Sequence, residues 1–67
     1  MTANQFRAAL ARLELSQLGA ARLFGVGERS PRRWASGDAD VPPPVAILLN
    51  LLLENKITKA DVNMMKR

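Results

Sequence analysis

Three arginines stand close together in the middle of the chain, at positions 29, 32 and 33, just after Glu28. Spacings of three and four residues bring side chains onto one face of an α-helix. A guanidinium is planar, permanently charged and able to bind a phosphate or the edge of guanine through two hydrogen bonds, while a carboxylate accepts from the amine of cytosine. The segment from Glu28 to Trp34 therefore predicts a helix that contacts nucleic acid, with an ordinary solvated basic face as the alternative.

The excess of positive charge is confined to the first half of the chain. Residues 1–36 carry six arginines against two glutamates, a net charge of +4, whereas residues 37–67 carry four cations and four anions. This uneven distribution indicates a basic surface on one part of the molecule, which suits a polyanionic partner.

The composition argues against an enzyme or a metal site. The 67 residues include neither cysteine nor histidine, so thiolate and imidazole ligands are missing, as is the side chain best suited to proton transfer near neutral pH. We expect one domain that is not an enzyme, has no cofactor and binds no small-molecule ligand. Because no signal peptide or membrane-spanning run is visible, we expect the cytoplasm, in association with the nucleoid.

Capping and turn signals divide the chain into five predicted helices. No segment shows the alternation of apolar and polar residues that is typical of a half-buried β-strand. The first helix is expected over about residues 3–13, and the third ends before Gly37. Side chains that accept from backbone amides start helices, whereas glycine and asparagine end them. In chain order the signals are the Thr2–Gln5 capping box, Ser16 as N-cap, Gly25 as stop, Pro42–Pro44 as start, Asn55–Lys56 as stop, and Thr58 with Asp61 as the last cap.

The second and third predicted helices have the pattern of a helix-turn-helix, two short helices joined by a glycine-containing turn. Ala21 supplies a small residue where the helices would cross, and Gly25 tolerates the positive φ of the turn. The residues expected to seal the inner face are Ala20, Phe24, Val26, Pro31 and Trp34. Trp34 is therefore expected in the core and not on a nucleotide base.

Residues 15–37, LSQLGAARLFGVGERSPRRWASG, resemble the helix-turn-helix of the Cro and phage-repressor (XRE-like) family. The following VPPPVAILLNLL is similar to the fourth helix of that family, so the likeness covers about residues 10–53. It implies an all-α, compact, five-helix lambda-repressor-like domain. The positions that match the family's register are Ala21, Gly25, Val26, Trp34 and Gly37.

The resemblance also implies roles for individual residues. The start of the second helix would hold a phosphate through its backbone amides and the Gln17 side chain. The outer face of the third helix would enter the major groove. The implied DNA-binding site comprises Ser16, Gln17, Gly27, Glu28, Arg29, Ser30, Arg32 and Arg33. Which arginine reads a base and which holds phosphate stays open.

Three residues depart from the family's pattern. Gly19 replaces a better helix former, and Gly27 replaces the usual serine at the N-cap of the third helix. Pro31 leaves two registers open. With Gly27 as N-cap, the proline falls at N4 and removes the first hydrogen bond of the helix; with Ser30 as N-cap, it falls at N1, its favoured place. The family's register favours Gly27.

Apolar residues cover about 220° of the fourth predicted helix, roughly twice the width that one core face needs. Only Ile47, Asn50 and Glu54 occupy the remainder. Two interpretations stay open: the first and fifth helices cover this width, or it forms the interface of a homodimer. The residues expected in such an interface are Leu51, Leu53, Met64 and Met65.

Together these features predict a small transcriptional regulator that binds double-stranded DNA in a sequence-specific way. A phage or prophage repressor, an antitoxin-like autoregulator and a stand-alone regulator would each fit this pattern. The alternative is a protein-interaction module of the same helical fold, antitoxin-like or an adaptor, that does not bind DNA.

Overall fold

The computed structural model describes residues 1–65, and all regular secondary structure in that range is helical. The chain order and bounds of the helices are α1 (Ala3–Arg12), α2 (Gln17–Phe24), α3 (Arg29–Ser36), α4 (Pro43–Leu53) and α5 (Lys59–Met65). The five-helix division predicted from capping and turn signals is confirmed. None of the helices within the described residues is both long and apolar enough to cross a bilayer.

Reciprocal capping boxes begin the first and last helices. At α1 the Thr2 hydroxyl accepts from the Gln5 N–H at 3.1 Å, and the Gln5 side chain accepts from the Thr2 N–H at 2.8 Å. At α5 the same exchange joins Thr58 and Asp61, at 3.2 and 2.8 Å. Each box satisfies two amides that a helix start otherwise leaves unpaired. Both predicted caps are thus confirmed.

A left-handed residue ends α1 and turns the chain sharply toward α2. Glu14 has φ 56°, and the Leu15 N–H reaches back to the Leu10 carbonyl at 2.9 Å. This is a Schellman-type ending, which usually carries glycine because a Cβ is strained at positive φ. The Glu14 side chain is exposed, so its burial does not offset the backbone strain at this position.

Replacing Glu14 with glycine is expected to stabilise the domain by about 0.5–1 kcal/mol, since relief of the strain exceeds the added freedom of the unfolded chain. In a chain of this size that corresponds to a rise in Tm of roughly 2–8 °C in a thermal melt. Glu14→Gln, which removes the charge and keeps the Cβ, serves as the control and should leave the Tm nearly unchanged. An equal rise in both variants would assign the effect to charge.

An aromatic pair lies at the centre of the core. The rings of Phe6 on α1 and Trp34 on α3 meet edge to face, with centroids 5.7 Å apart and planes at 89°. Around them lie buried residues of four helices and the loop before α4: Leu10, Ala20, Ala35, Val41, Val45 and Leu49. The prediction that Trp34 belongs to the core is confirmed, since only 6% of the residue is exposed.

A second apolar cluster attaches α5 to the rest of the domain. Leu23 of α2, Leu52 of α4 and Val62 of α5 are buried together. Lys59 adds a polar tie, because its ammonium donates to the Leu13 carbonyl at the end of α1 at 2.8 Å. The short last helix is thereby held against α2 and α4.

The fourth helix faces the core with Val45, Leu49 and Leu52 and faces solvent with Ile47 and Asn50, and the exposed Glu54 is its C-cap. The three residues predicted to lie outside the apolar arc, Ile47, Asn50 and Glu54, are thus all exposed. Its remaining apolar residues are half-buried: Ala46, Leu48, Leu51 and Leu53. Neighbouring helices cover part of the wide arc but leave its edges accessible.

Candidate nucleic-acid interface

Two short helices joined by a tight turn position the arginines. α2 ends at Gly25, whose φ of 68° is left-handed and whose N–H donates to the Ala21 carbonyl. The Val26 N–H reaches the same carbonyl at 3.0 Å, which closes the turn. Ala20 and Ala21 are 0% and 2% exposed, and α2 contacts α3. The predicted role of Gly25 as the left-handed stop is confirmed, and Ala21, the small residue expected where the helices cross, is buried.

The start of α3 lies between the two registers that the sequence left open. Glu28 is the N-cap, with helical backbone angles and without a side-chain hydrogen bond to the helix. The Ser30 N–H donates to the Gly27 carbonyl at 3.1 Å, forming a tighter first turn. The expectation of an N-cap at Gly27 is wrong by one residue, and the Ser30 alternative is wrong by two.

This start places Pro31 at N3, the third helical position. The first four amides of a helix have no partner within it, so a residue without an N–H costs no hydrogen bond at N3. The ring is among the fully buried side chains of the domain. Pro31 thus fills the core under the start of α3 while leaving the helix intact, a solution that neither predicted register included.

The two faces of α3 differ sharply in chemistry. Pro31, Trp34 and Ala35 are buried, whereas Arg29, Arg32, Arg33 and Ser36 are exposed. At 3.6 residues per turn, Arg29 and Arg33 lie about 40° apart on the side opposite Pro31, and Arg32 lies on the flank, about 100° from Pro31. The outermost part of this helix is therefore formed by two guanidinium side chains, with a third beside them.

These guanidinium groups have no anionic partner within the described residues. The one ion pair recorded there joins Lys56 and Glu54, with 3.6 Å between nitrogen and oxygen, on the far end of α4. Glu28 precedes Arg32 by one helical turn yet forms no ion pair with it in residues 1–65. The arginine face thus presents uncompensated positive charge to solvent.

The start of α2 is organised by Ser16. Its hydroxyl accepts from the Gly19 N–H at 2.9 Å, and Gln17 is exposed at the first helical position. A Cβ on residue 19 would lie 3.1 Å from the Ser16 hydroxyl oxygen. This contact would be tight, but Gln5 and Asp61 occupy the same N3 position behind Thr2 and Thr58 with a Cβ, so the cap does not by itself require glycine.

Arg7 is a positioning residue that sequence reasoning missed. Its guanidinium donates to the Ala35 carbonyl in the last turn of α3 and to the Asn4 side chain on its own helix. Terminal carbonyls of a helix lack partners within it, so Arg7 satisfies one and links α1 to the end of α3. The sequence offered only the i, i+3 spacing of Asn4 and Arg7 as a signal.

The residues expected in a dimer interface lie on several elements. Leu51 and Leu53 are half-buried on α4, and Met64 on α5 is 74% exposed. The Met65 side chain lies outside the described part of the structure.

Comparison of the chain with protein-family models, with curated proteins and with solved structures gave no match.

Proposed function

We propose that this protein binds double-stranded DNA and that α3 enters the major groove. The observation that carries the proposal is the division of α3 into a buried face of Pro31, Trp34 and Ala35 and an outer face of unpaired arginines. A rigidly seated helix that presents guanidinium groups to solvent matches the width and the acceptor pattern of that groove.

The arginines would act in two ways. Neutralising phosphates releases counterions, which supplies affinity for any sequence. Bidentate hydrogen bonds to guanine O6 and N7 supply preference for particular sequences. The exposed carboxylate of Glu28, one turn from Arg32, would accept from a cytosine amine on the same groove edge. Both components are needed in a regulator that must find one site among many.

The start of α2 would hold the adjacent DNA backbone. Amides in the first turn of this helix and the exposed Gln17 side chain are donors of the kind that bind phosphate oxygens. Ser16 keeps the turn in shape through its hydrogen bond to Gly19. Such a contact carries no sequence information but would fix the depth and the angle at which α3 enters the groove.

The number and order of the helices support the likeness to the Cro and phage-repressor family, in which such domains regulate transcription. We therefore propose a lambda-repressor-like fold and a regulatory role on chromosomal or phage DNA. The Gly25 turn, the buried Trp34 and the proline-initiated α4 support that assignment.

A charge-matched pair of variants tests the proposal. Arg32→Gln with Arg33→Gln, and Arg12→Gln with Lys56→Gln, each lower the net charge from +4 to +2. Fluorescence anisotropy with a labelled pool of random duplexes, between 50 and 300 mM salt, measures affinity and salt slope. We expect the α3 variant to lose roughly tenfold or more in affinity and up to about two units of slope, and the other to change little.

Two outcomes would contradict DNA binding through α3. If both double variants weaken binding equally, overall charge accounts for the affinity and α3 has no special role. If the unmodified protein shows no salt-dependent binding to duplex DNA, the protein-interaction module becomes the better interpretation. Far-UV circular dichroism of each variant confirms that the helices are retained.

A further inference from the structure

A groove of about 380 Å³ lies between α1 and α4, outside the arginine face of α3. Three alanines leave this space open where larger side chains would fill it: Ala9 is buried, Ala46 is half-buried and Ala8 is exposed. Two longer apolar side chains, Met1 and Leu53, complete the apolar part of the lining. The volume falls within the range of small-molecule sites, roughly 300–1,000 Å³, and such sites are mostly apolar.

Three polar side chains line the same groove, and each has hydrogen-bond donors without a partner in residues 1–65. The Arg12 guanidinium makes no hydrogen bond or ion pair there, and the Asn50 amide makes no hydrogen bond. Gln5 accepts from the Thr2 N–H with its side-chain oxygen, which leaves its amino group as a donor. Among the described residues, the lining contains one cation and no carboxylate. The groove therefore has several donors and no anion of its own to receive them.

These groups define the chemistry of a matching ligand. A carboxylate accepts several hydrogen bonds and can pair with a guanidinium through both oxygens. Its single negative charge equals the single positive charge of Arg12, whereas a phosphate monoester carries about −1.5 to −2 near neutral pH and would be only partly neutralised. The alanines favour an apolar chain or ring beside the carboxylate. From Gln5 to Arg12 the groove extends about 10 Å along α1, the length of a medium-chain acid.

We propose that the α1–α4 groove binds a small monocarboxylic acid, with the carboxylate at Arg12 and the apolar body along the alanines. Both Arg12 and Ala8 are exposed, so the bound acid would keep contact with solvent on one side and bind weakly. This differs from the expectation of no small-molecule ligand, which rested on the sequence alone. The lining comes from two helices far apart in the chain, so no local pattern marks it. The inference does not depend on DNA binding.

Titration of the ¹⁵N-labelled protein with octanoate, from 0.1 to 10 mM at constant ionic strength, tests the site by NMR. We expect saturable shifts of backbone amides on α1 and α4, with a dissociation constant of roughly 1 mM. Two control ligands separate the parts of the proposal, since acetate lacks the apolar body and octanamide lacks the charge. Acetate should give no saturable shift, and octanamide should bind roughly fivefold more weakly than octanoate.

Two pairs of matched variants assign the contacts. Arg12→Gln and Lys56→Gln each remove one positive charge, and only the first should raise the octanoate dissociation constant, by roughly fivefold, while leaving octanamide binding unchanged. Ala8→Leu and Ala11→Leu each enlarge an exposed alanine of α1, but only residue 8 lines the groove. Ala8→Leu should therefore weaken octanoate binding by roughly tenfold or more, because it fills the space, and Ala11→Leu should not. Thermal melts show that each variant stays folded.

Three results would overturn the proposal. Octanoate that causes no saturable shift up to 10 mM does not bind in the groove. Octanamide that binds as tightly as octanoate rules out recognition of the carboxylate. Equal effects of Arg12→Gln and Lys56→Gln, or shifts centred on α3, would show a general attraction of anions to a basic protein. Since these measurements contain no DNA, each of these results leaves the proposed function untouched.

Discussion

Replacement of Trp34 by alanine is expected to leave the domain unfolded at 25 °C. The indole is almost completely buried and meets the Phe6 ring edge to face at 5.7 Å. Removing a buried tryptophan costs about 3–5 kcal/mol. A single core in a chain of this length supplies no more than about 3–5 kcal/mol in total. The loss therefore equals the whole margin of stability.

Circular dichroism at 222 nm, with urea titration, measures this effect. Trp34→Phe should stay folded with a reduced urea midpoint, because the smaller ring keeps part of the contact with Phe6. Leu18→Ala, at an exposed position on α2, should match the wild type within about 0.5 kcal/mol. A cooperative, wild-type-like transition in Trp34→Ala would show that the aromatic pair is not the centre of the core.

The elements that sequence reasoning placed well are those whose signals are local. Capping boxes at Thr2 and Thr58, the left-handed Gly25 and the prolines before α4 each act within one helical turn. Such interactions depend on a few neighbouring residues, so they can be recognised in the sequence without knowledge of the fold. The inner face of α4 also followed from helical periodicity, since the fold buries Val45, Leu49 and Leu52 together.

The features that the sequence did not reveal depend on contacts between distant residues. Arg7 reaches Ala35 across 28 positions, so no local pattern marks it as a partner of α3. Neither register expected from the sequence gives the start of α3, where the N-cap Glu28 makes no side-chain hydrogen bond to the helix and Pro31 is buried in the core.

The arrangement of the arginines around α3 sharpens the prediction of what each one does. Arg29 and Arg33 lie within about 20° of the direction opposite the buried Pro31, while Arg32 lies on the flank, closer to Glu28. In a helix that enters the major groove, outward residues meet base edges and flanking residues meet the phosphates of the groove wall. The sequence alone left these roles open.

We therefore expect different results from single alanine substitutions at these three positions, measured on duplexes selected from a random pool. Arg29→Ala and Arg33→Ala should each cost about 1–3 kcal/mol of binding and each erase the preference at one operator position. Arg32→Ala should weaken binding to all sequences alike and lower the salt slope by about one, since a phosphate contact is lost. Arg32→Lys should restore most of that slope, because a lysine also neutralises a phosphate, whereas Arg33→Lys should not restore base preference at a bidentate site. The opposite result, in which Arg32→Ala alters the preferred sequence and Arg29→Ala and Arg33→Ala change only the salt slope, would contradict this assignment. It would show that α3 enters the groove rotated by about a quarter turn from the orientation that its buried face indicates.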